Sequence, residues 1–253
     1  MSDSAVLLRT EALTKSFAGF VAVQNISLDV RRGSIHALIG PNGAGKTTFF
    51  NLLTRFLSPT SGHIYFKDKE ITYSKPYDIA RRGIVRSFQL SAVFPHLSVL
   101  DNVRVALQRF RPYNYAFWRS EGVLSELNDR ARALLAEVGL ENQQDLVAAE
   151  LPYGRKRALE LATTLALEPE LMLLDEPTAG MAHEDIGRIV ELIRRVAQNR
   201  TVLMVEHNLG VVADLSHRIT VMQRGEILAD GSYDEVSKNP AVIEAYMGTS
   251  HAA

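Results

Sequence analysis

The order of apolar and polar residues predicts short strands that alternate with helices. Mostly apolar runs occupy residues 35–39, 171–174 and 201–205, which is typical of strands buried in a parallel sheet. Strands that alternate with helices predict an α/β fold with a mixed, mostly parallel sheet. Further strands are predicted at residues 6–10, 22–30, 63–67, 84–88, 219–222 and 227–229, and the last two form an antiparallel β edge through a hairpin at Arg224-Gly225.

Helical spacing of apolar residues dominates the middle of the chain. Residues 98–140 contain two such segments, and Gly139 is placed to end the second. The aromatic-rich residues 111–118 lie between them. We interpret these aromatics as packing on neighbouring helices, in preference to forming a contact surface for a partner. Other helices are predicted at residues 46–57, 76–82, 155–167 and 184–198, with small helices over residues 232–247.

Composition narrows the classes of protein. The 253 residues suit one large α/β domain or a domain with a modest subdomain. The net charge of −1 gives no general attraction to nucleic acid or anionic lipid. There is no cysteine, which excludes disulfides and is compatible with a reducing compartment. No signal peptide is visible, and no apolar run approaches the roughly 20 residues of a transmembrane helix, so any membrane role is expected to be peripheral.

A complete phosphate-binding motif follows the first buried strand and opens a predicted helix. Its glycines let successive backbone N–H groups turn inward, while Lys46 and the helix N-terminus add positive charge. A glycine turn that merely links strand to helix is the alternative, and the Lys-Thr pair disfavours it. The motif predicts a nucleoside triphosphate site. The residues assigned to it are Gly40, Asn42, Gly43, Ala44, Gly45, Lys46, Thr47 and Thr48, with Thr47 also a ligand of Mg²⁺.

Four further residues are predicted to carry the chemistry of phosphoryl hydrolysis. Asp175 and Glu176 end a buried strand, where Asp175 is predicted to order Mg²⁺ and Glu176 to act as general base. Gln89 follows another strand and suits a ligand to the metal or the attacking water. His207, just past residues 201–205, is predicted to donate to the γ-phosphate. The catalytic residues are therefore Glu176, His207 and Gln89, and the metal ligands are Thr47, Gln89 and Asp175.

The order of these motifs resembles that of the ATP-binding cassette (ABC) ATPases along essentially the whole chain. The resemblance implies a P-loop NTPase fold that binds ATP and Mg²⁺. It implies a helical subdomain at about residues 90–165 inserted in a RecA-like core, and a C-terminal helical extension at about residues 232–250. It also implies that Phe17 stacks on adenine, and the alternative is a phenylalanine buried in the core.

In this family two cassettes enclose ATP between one phosphate loop and the partner's signature loop. Here residues 151–155 read Leu-Pro-Tyr-Gly-Arg, where Leu-Ser-Gly-Gly-Gln is common. Pro152 offers neither a hydroxyl nor an N–H to the γ-phosphate of the partner's nucleotide, whereas Gly154 still allows a close approach to it. Tyr153 and Gly154 are therefore assigned to nucleotide binding, and Arg155 could add positive charge. Ala182 also stands near the end of a loop where aspartate is usual.

These departures, together with the insertion around Trp118 and the sequence of residues 231–236 and 239–248, resemble the branched-chain (hydrophobic) amino-acid importer cassettes of the LivG type. That resemblance implies a bacterial importer ATPase on the cytoplasmic face of the inner membrane. The implied partners are two transmembrane permease subunits, an extracytoplasmic solute-binding protein and a second cassette, as a heterodimer in preference to a homodimer. Val93, Phe94 and Leu97 are candidates for the permease contact, with burial in this chain's own core as the alternative.

Three alternatives stay open at this point. Related cassettes serve importers of urea and short amides. The phosphate-contacting residues do not touch the transported substrate, so they do not reveal which substrate it is. A soluble ABC ATPase acting on DNA or ribosomes is disfavoured, since the chain has one cassette, no heptad array and no net positive charge, and no nucleic-acid partner is expected. A cassette that closes the dimer without hydrolysing ATP is disfavoured by Glu176 and His207, although the altered signature keeps it open.

Overall fold

The computed structural model describes residues 5–87, 93–108 and 127–247. The chain divides into two compact units, the first drawn from Met1–Arg86, Glu170–Pro177 and Ala197–Ala253, and the second from Ser87–Pro169 and Thr178–Val196. The strands are β1 Val6–Phe17, β2 Phe20–Arg31, β3 Ile35–Ile39, β4 Ser61–Phe66, β5 Lys69–Glu70, β6 Ile84–Ser87, β7 Leu171–Asp175, β8 Thr201–Val205, β9 Arg218–Gln223 and β10 Glu226–Gly231. The described helices are α1 Lys46–Leu53, α2 Pro76–Arg81, α3 Val99–Leu107, α4 Asn128–Glu137, α5 Tyr153–Leu165, α6 His183–Ala197, α7 Leu209–Leu215, α8 Tyr233–Ser237 and α9 Pro240–Met247.

The main sheet of the first unit has six strands in the order β10-β9-β3-β8-β7-β6. β3 runs parallel to both β8 and β9, and β8 runs parallel to β7. Among the described pairings of this sheet, only the edge strands β9 and β10 pair antiparallel. Every residue of β3, β7 and β8 is buried, as expected for parallel strands that are covered on both faces. The predicted α/β fold with an antiparallel edge is confirmed.

A second sheet was not anticipated from the sequence. β1 pairs antiparallel with β2 and with β4, and the order of this four-stranded sheet is β2-β1-β4-β5. The side chains of α1 pack into one cluster with residues of both sheets, and Phe49, Phe50, Leu52 and Leu53 are all fully buried. α1 therefore lies in an apolar cluster shared by the two sheets, directly after the phosphate-binding motif.

The second unit is helical in its described part. α3, α4, α5 and α6 supply its apolar core, with Leu134, Leu159 and Ile193 among the buried side chains. Gly139 has a φ of 73°, which ends α4 in the left-handed conformation that the sequence predicted for a C-terminal glycine. The predicted positions of the helices are confirmed to within a few residues, except that α1 ends at Leu53, before the predicted residue 57.

His36 is a fully buried polar residue on β3. Its Nε2 lies 2.8 Å from the Thr220 hydroxyl oxygen, and that hydroxyl lies 2.9 Å from a carboxylate oxygen of Asp230. Since the carboxylate only accepts, Thr220 donates to Asp230 and accepts from His36 Nε2–H. The buried Nδ1 has no hydrogen-bond partner in the structure, so a proton there would be an unsatisfied donor. Burial accordingly lowers the pKa of His36 to about 4, against an opposing attraction from Asp230.

This histidine makes stability depend on pH. The unfolded chain takes up a proton near pH 6.5 that the folded chain accepts only near pH 4, so the stabilisation is present above pH 6.5 and is lost as the pH falls towards 4. We expect the free energy of unfolding to fall by about 3 kcal/mol more in the wild type than in His36→Gln over this window. Urea unfolding at several pH values measures this pH dependence of the free energy of unfolding in both proteins. His183→Gln, which removes an exposed histidine, is the control, and equal pH slopes in wild type and His36→Gln would contradict the assignment.

Candidate functional site

The predicted site residues of the first unit lie at one edge of the main sheet. The parallel strands β3, β8 and β7 are neighbours and end at Ile39, Val205 and Asp175. Because the carboxyl ends of parallel strands meet at the same edge, the phosphate loop, Glu176 and His207 follow strand ends on the same side of the sheet. Ligands of open α/β sheets bind at this edge. Neighbouring strands thus bring together residues that are far apart in sequence.

The backbone of the phosphate loop requires glycine at two positions. Gly40 has a φ of 149°, and a Cβ there would lie 2.1 Å from the carbonyl oxygen of Met222. Gly45 has a φ of 99°, and a Cβ there would lie 2.4 Å from the carbonyl oxygen of Ala22. Both distances are far shorter than any non-bonded contact. These glycines are therefore needed for close backbone packing as well as for the turn itself.

Backbone hydrogen bonds join the loop to the turn between β9 and β10. The N–H of Gly225 donates to the Ala44 carbonyl over 3.0 Å, and the Gly225 carbonyl accepts from Gln24 N–H over 2.8 Å. Within the loop, Ala44 N–H donates to the Pro41 carbonyl over 3.2 Å. The predicted hairpin at Arg224-Gly225 is confirmed, and the structure gives it a further part as a support of the loop.

Lys46 lies folded onto its own loop. Its ammonium donates to the carbonyl oxygens of Gly40, over 2.6 Å, and Pro41, over 3.0 Å. Burial lowers the pKa of Lys46, and the negative charges of Glu176 and Asp175 oppose that shift. The ammonium therefore rests on neutral carbonyl groups, which the oxygens of a phosphate can replace with a charged partner.

Asp175 is buried and paired with Arg86. One guanidinium nitrogen of Arg86 donates to an Asp175 carboxylate oxygen, and another donates to the Asn51 side-chain oxygen over 2.6 Å. The guanidinium carbon lies 5.7 Å from the centroid of the Phe50 ring. Sequence reasoning missed both Arg86 and Asn51. The signal was present, because a charged residue in the predicted strand at residues 84–88 needs a buried partner.

Glu176 and His207 lie near each other. His207 Nδ1 is 4.0 Å from a carboxylate oxygen of Glu176, and Glu176 has a left-handed backbone with a φ of 46°. Its N–H donates to the Val205 carbonyl over 2.9 Å, which fixes the turn after β7. Beside them, the fully buried Glu206 carboxylate accepts from the backbone N–H groups of His207, over 2.9 Å, and Asn208, over 3.1 Å. The structure thus fixes the backbones of Glu176 and His207, two of the three predicted catalytic residues.

Phe17 is the last residue of β1, and 41% of its surface is exposed. The alternative of a core phenylalanine is therefore wrong. The Lys15 ammonium lies 4.9 Å from the ring centroid, so the ring already carries a cation on its face. An exposed aromatic face is what stacking on a base requires, and the adenine contact stays a prediction.

The donor set at the loop suits Mg²⁺. Thr47 offers a hydroxyl and Asp175 a carboxylate, both hard oxygen ligands, and Mg²⁺ is usually bound by one or two such groups together with phosphates and waters. In the described part of the chain, no group of three or more histidine, aspartate or glutamate side chains forms a ready-made metal site. Gln89, the remaining predicted ligand, lies outside the described residues.

The signature residues Tyr153 and Gly154 belong to the second unit, where they open α5. The helix therefore begins two residues before the predicted residue 155, because the Pro152 carbonyl accepts from the N–H groups of Arg155 and Lys156. The Tyr153 hydroxyl donates to the Ala179 carbonyl over 2.9 Å. Arg155 donates to the Gly139 carbonyl over 2.7 Å, at the C-terminus of α4.

An apolar surface is exposed on the second unit. Phe94 and Leu97 are exposed, which contradicts the alternative that they are buried in the core, and Leu146 and Val147 are exposed beside them. The buried Asn102 side chain exchanges hydrogen bonds with the Phe94 backbone, at 2.7 and 3.1 Å. The backbone at Phe94 is therefore fixed, while the side chains of Phe94 and Leu97 are exposed. The aromatic-rich residues 111–118 lie outside the described residues, and no described helix is long and apolar enough to cross a membrane.

Comparison with known proteins identifies two matching families. Residues 23–179 match the family described as ABC transporter, and residues 226–252 match the branched-chain amino acid ATP-binding cassette transporter family. The chain is 39% identical to the high-affinity branched-chain amino acid transport ATP-binding protein LivG of Salmonella typhimurium, over 97% of this chain and 99% of that protein. It is 38% identical to LivG of Escherichia coli (strain K12), with the same coverage.

A solved structure agrees with these family matches. The chain superposes on a crystal structure of an ATP-binding cassette from an ABC transporter in its ADP conformation with a TM-score of 0.83. The sequence identity is 30%, and the match covers 96% of this chain and 99% of the other. The predicted P-loop NTPase fold is therefore confirmed over nearly the whole chain.

The pair of Arg86 and Asp175 predicts a stability effect. Arg86→Met leaves a buried carboxylate without its counter-charge, so we expect the free energy of unfolding to fall by about 3 kcal/mol in the absence of nucleotide. Arg188→Met is the matched control, because it removes the arginine of an ion pair whose Arg188 side chain is 77% exposed. Chemical denaturation measures both variants.

The double variant Arg86→Met/Asp175→Leu should recover much of the loss, since it removes the stranded charge as well. If the free energy of unfolding falls no more in Arg86→Met than in Arg188→Met, the pair of Arg86 and Asp175 does not stabilise the fold as predicted.

Proposed function

This chain belongs to the ABC transporter family, and we propose that it powers a bacterial importer of branched-chain or other hydrophobic amino acids. Its activity is ATP hydrolysis. The observation that carries this proposal is the shared edge of the parallel sheet, where the phosphate loop, Glu176 and His207 follow the ends of β3, β7 and β8. The substrate class rests on the relatives named LivG and on the family matched by residues 226–252.

In the proposed mechanism the loop backbone and Lys46 bind the phosphates of ATP, and Phe17 stacks on the adenine. The Glu176 carboxylate takes a proton from the attacking water as the water oxygen bonds to the γ-phosphorus, while the bond from the γ-phosphorus to the β,γ-bridging oxygen breaks and ADP leaves with that oxygen. His207 donates a hydrogen bond to a γ-phosphate oxygen, and its place 4.0 Å from Glu176 supports this joint role. Thr47, Gln89 and Asp175 would hold Mg²⁺, which supplies charge neutralisation at the phosphates.

Two cassettes would enclose the nucleotides between them. Tyr153 and Gly154 are proposed to face the nucleotide of the partner cassette, where the N-terminus of α5 favours an anion. Arg155 and Tyr153 already have hydrogen-bond partners within the second unit, so closure of the dimer would act on a pre-organised signature. In line with the subfamily resemblance, we propose that the second cassette is a different chain.

The exposed surface of Phe94, Leu97, Leu146 and Val147 is the proposed contact for the permease subunits. Apolar side chains that are held rigid and exposed are expected at a protein interface. Such a chain would lie on the cytoplasmic face of the inner membrane and depend on an extracytoplasmic solute-binding protein for its substrate. No observation favours the urea or short-amide importers, or a soluble ABC ATPase, over this assignment.

Co-purification tests the proposal directly. The tagged chain is gently solubilised from its own membranes, and its partners are identified by mass spectrometry. We expect two permease chains, a second cassette and a solute-binding protein that binds branched-chain amino acids. Ribosomal or DNA-associated partners would contradict the transport function, and a binding protein selective for urea or amides would contradict the substrate class.

The general base gives a prediction for the purified complex. Glu176→Gln should retain ATP binding but lower the hydrolysis rate by about 10²-fold to 10⁴-fold, because the amide cannot accept the proton of the water. Phosphate release and nucleotide affinity are measured together. Glu191→Gln, at an exposed position of α6, is the control. Undiminished turnover in Glu176→Gln would remove Glu176 as the base.

A further inference from the structure

Two neighbouring residues of the signature contact the segment that follows Glu176 in the chain. The Tyr153 hydroxyl donates to the Ala179 carbonyl over 2.9 Å, in the loop between β7 and α6. A Cβ at Gly154 would lie 3.3 Å from Cγ of Asp185, in the first turn of α6, so the backbone of Gly154 packs closely against that helix. The four contacting residues all belong to the second unit. The signature is therefore attached to this segment at two points.

The loop between β7 and α6 forms a tight turn beneath the tyrosine. The N–H of Met181 donates to the Thr178 carbonyl over 3.3 Å, which closes the turn around Ala179 and Gly180. Gly180 has a φ of 72°, a left-handed conformation that favours glycine at the third position of a turn. A Cβ at Gly180 would lie 3.6 Å from the Tyr153 hydroxyl oxygen. The hydroxyl thus lies against both central residues of the turn.

The ring of Tyr153 is supported from within its own helix. The guanidinium carbon of Arg157, one turn further along α5, lies 5.5 Å from the ring centroid. Arg157 is buried, and it donates to the buried Glu160 carboxylate over 2.7 Å. Because this buried pair fixes the guanidinium, the ring has a fixed neighbour on the helix side. The hydroxyl is therefore held between α5 and the turn.

Tyr153 stands where the common signature has a glycine, which offers no side chain for such a bond. Its hydroxyl could serve as a substitute for the serine hydroxyl that Pro152 lacks. The structure instead uses the hydroxyl proton within the chain, because Tyr153 donates it to the Ala179 carbonyl. This altered signature residue therefore has a task inside its own subunit.

The connection from Ala179 back to Glu176 is short. Only Pro177 and Thr178 lie between them in sequence. Proline has a fixed φ, and the Thr178 side chain is buried, so this part of the chain has little freedom to absorb a displacement. A shift of Ala179 is therefore expected to reach the backbone of Glu176.

We propose that Tyr153 is a positioning residue for hydrolysis, which couples the signature of this chain to Glu176 through the Ala179 carbonyl. The proposal rests on the proposed function, in which the signature faces the nucleotide of the partner cassette and Glu176 acts on the nucleotide of this chain. The hydrogen bond thereby links the occupation of one nucleotide site to the orientation of the general base at the other.

Steady-state kinetics of the purified complex test the proposal. Tyr153→Phe removes only the hydroxyl and keeps the ring beside Arg157. The hydrolysis that belongs to this chain is the difference in phosphate release between the complex and the same complex with Glu176→Gln. We expect Tyr153→Phe to lower the kcat of this difference by about fivefold, the factor that one net hydrogen bond represents, with an unchanged KM for Mg-ATP. Tyr233→Phe, at an exposed tyrosine of α8, is the matched control and should change neither constant.

A double variant shows whether Tyr153 acts through the general base. In the complex with Glu176→Gln, the addition of Tyr153→Phe should leave the residual phosphate release unchanged, because the group that the hydroxyl positions is already absent. A fivefold loss in this background as well would mean that the hydroxyl acts independently of Glu176, and it would overturn the proposal. A raised KM with an unchanged kcat would also overturn it, since it would assign the hydroxyl to nucleotide binding.

A positioning role is separated from simple stabilisation by urea unfolding. The urea midpoint of the nucleotide-free chain should change no more in Tyr153→Phe than in Tyr233→Phe. Wild-type kcat and KM in Tyr153→Phe, or a loss of kcat that follows a lowered midpoint, would overturn this inference and leave the proposed function intact. If the wild-type complex releases no more phosphate than the complex with Glu176→Gln, the proposed function falls together with this inference.

Discussion

The site depends on the backbone of Gly40, where β3 ends against β9. The Met222 carbonyl leaves no space for a Cβ, so the chain can turn into the phosphate loop here only with glycine. The carbonyl of the same residue accepts from Lys46. The parallel sheet fixes β3 between β8 and β9, and in this way it fixes the start of the loop as well. Packing of the main sheet therefore sets the geometry of nucleotide binding.

The charged groups around the loop already have polar neighbours within the chain. Asp175 is paired with Arg86, Lys46 donates to two backbone carbonyls, and His207 Nδ1 lies 4.0 Å from a Glu176 carboxylate oxygen. Buried charges without partners would destabilise the fold, so such pairing is required in the absence of ligand. Binding of Mg-ATP would consequently exchange partners at these residues instead of creating a charged site anew. This exchange gives the bound phosphates a direct means to rearrange side chains.

The sequence predicted the parts of this site that follow from local patterns. The bounds of β3 and β8 are as predicted because both are short apolar runs, and Gly139 ends α4 as its position suggested. Pairings between distant residues were not predictable. Arg86 meets Asp175 only because β6 and β7 are neighbours in the main sheet. The helical start at Tyr153 was missed since proline and glycine beside it are also typical of a loop.

The most direct test of the nucleotide site is a crystal structure with Mg²⁺ and a non-hydrolysable ATP analogue. The decisive quantity is the set of distances from the Lys46 nitrogen, which now lies 2.6 Å from the Gly40 carbonyl oxygen and 3.0 Å from that of Pro41. We predict that this nitrogen moves into hydrogen-bond distance of phosphate oxygens, with the analogue seated on the loop from Gly40 to Thr47. An analogue bound elsewhere, with Lys46 still on the two carbonyls, would contradict the account.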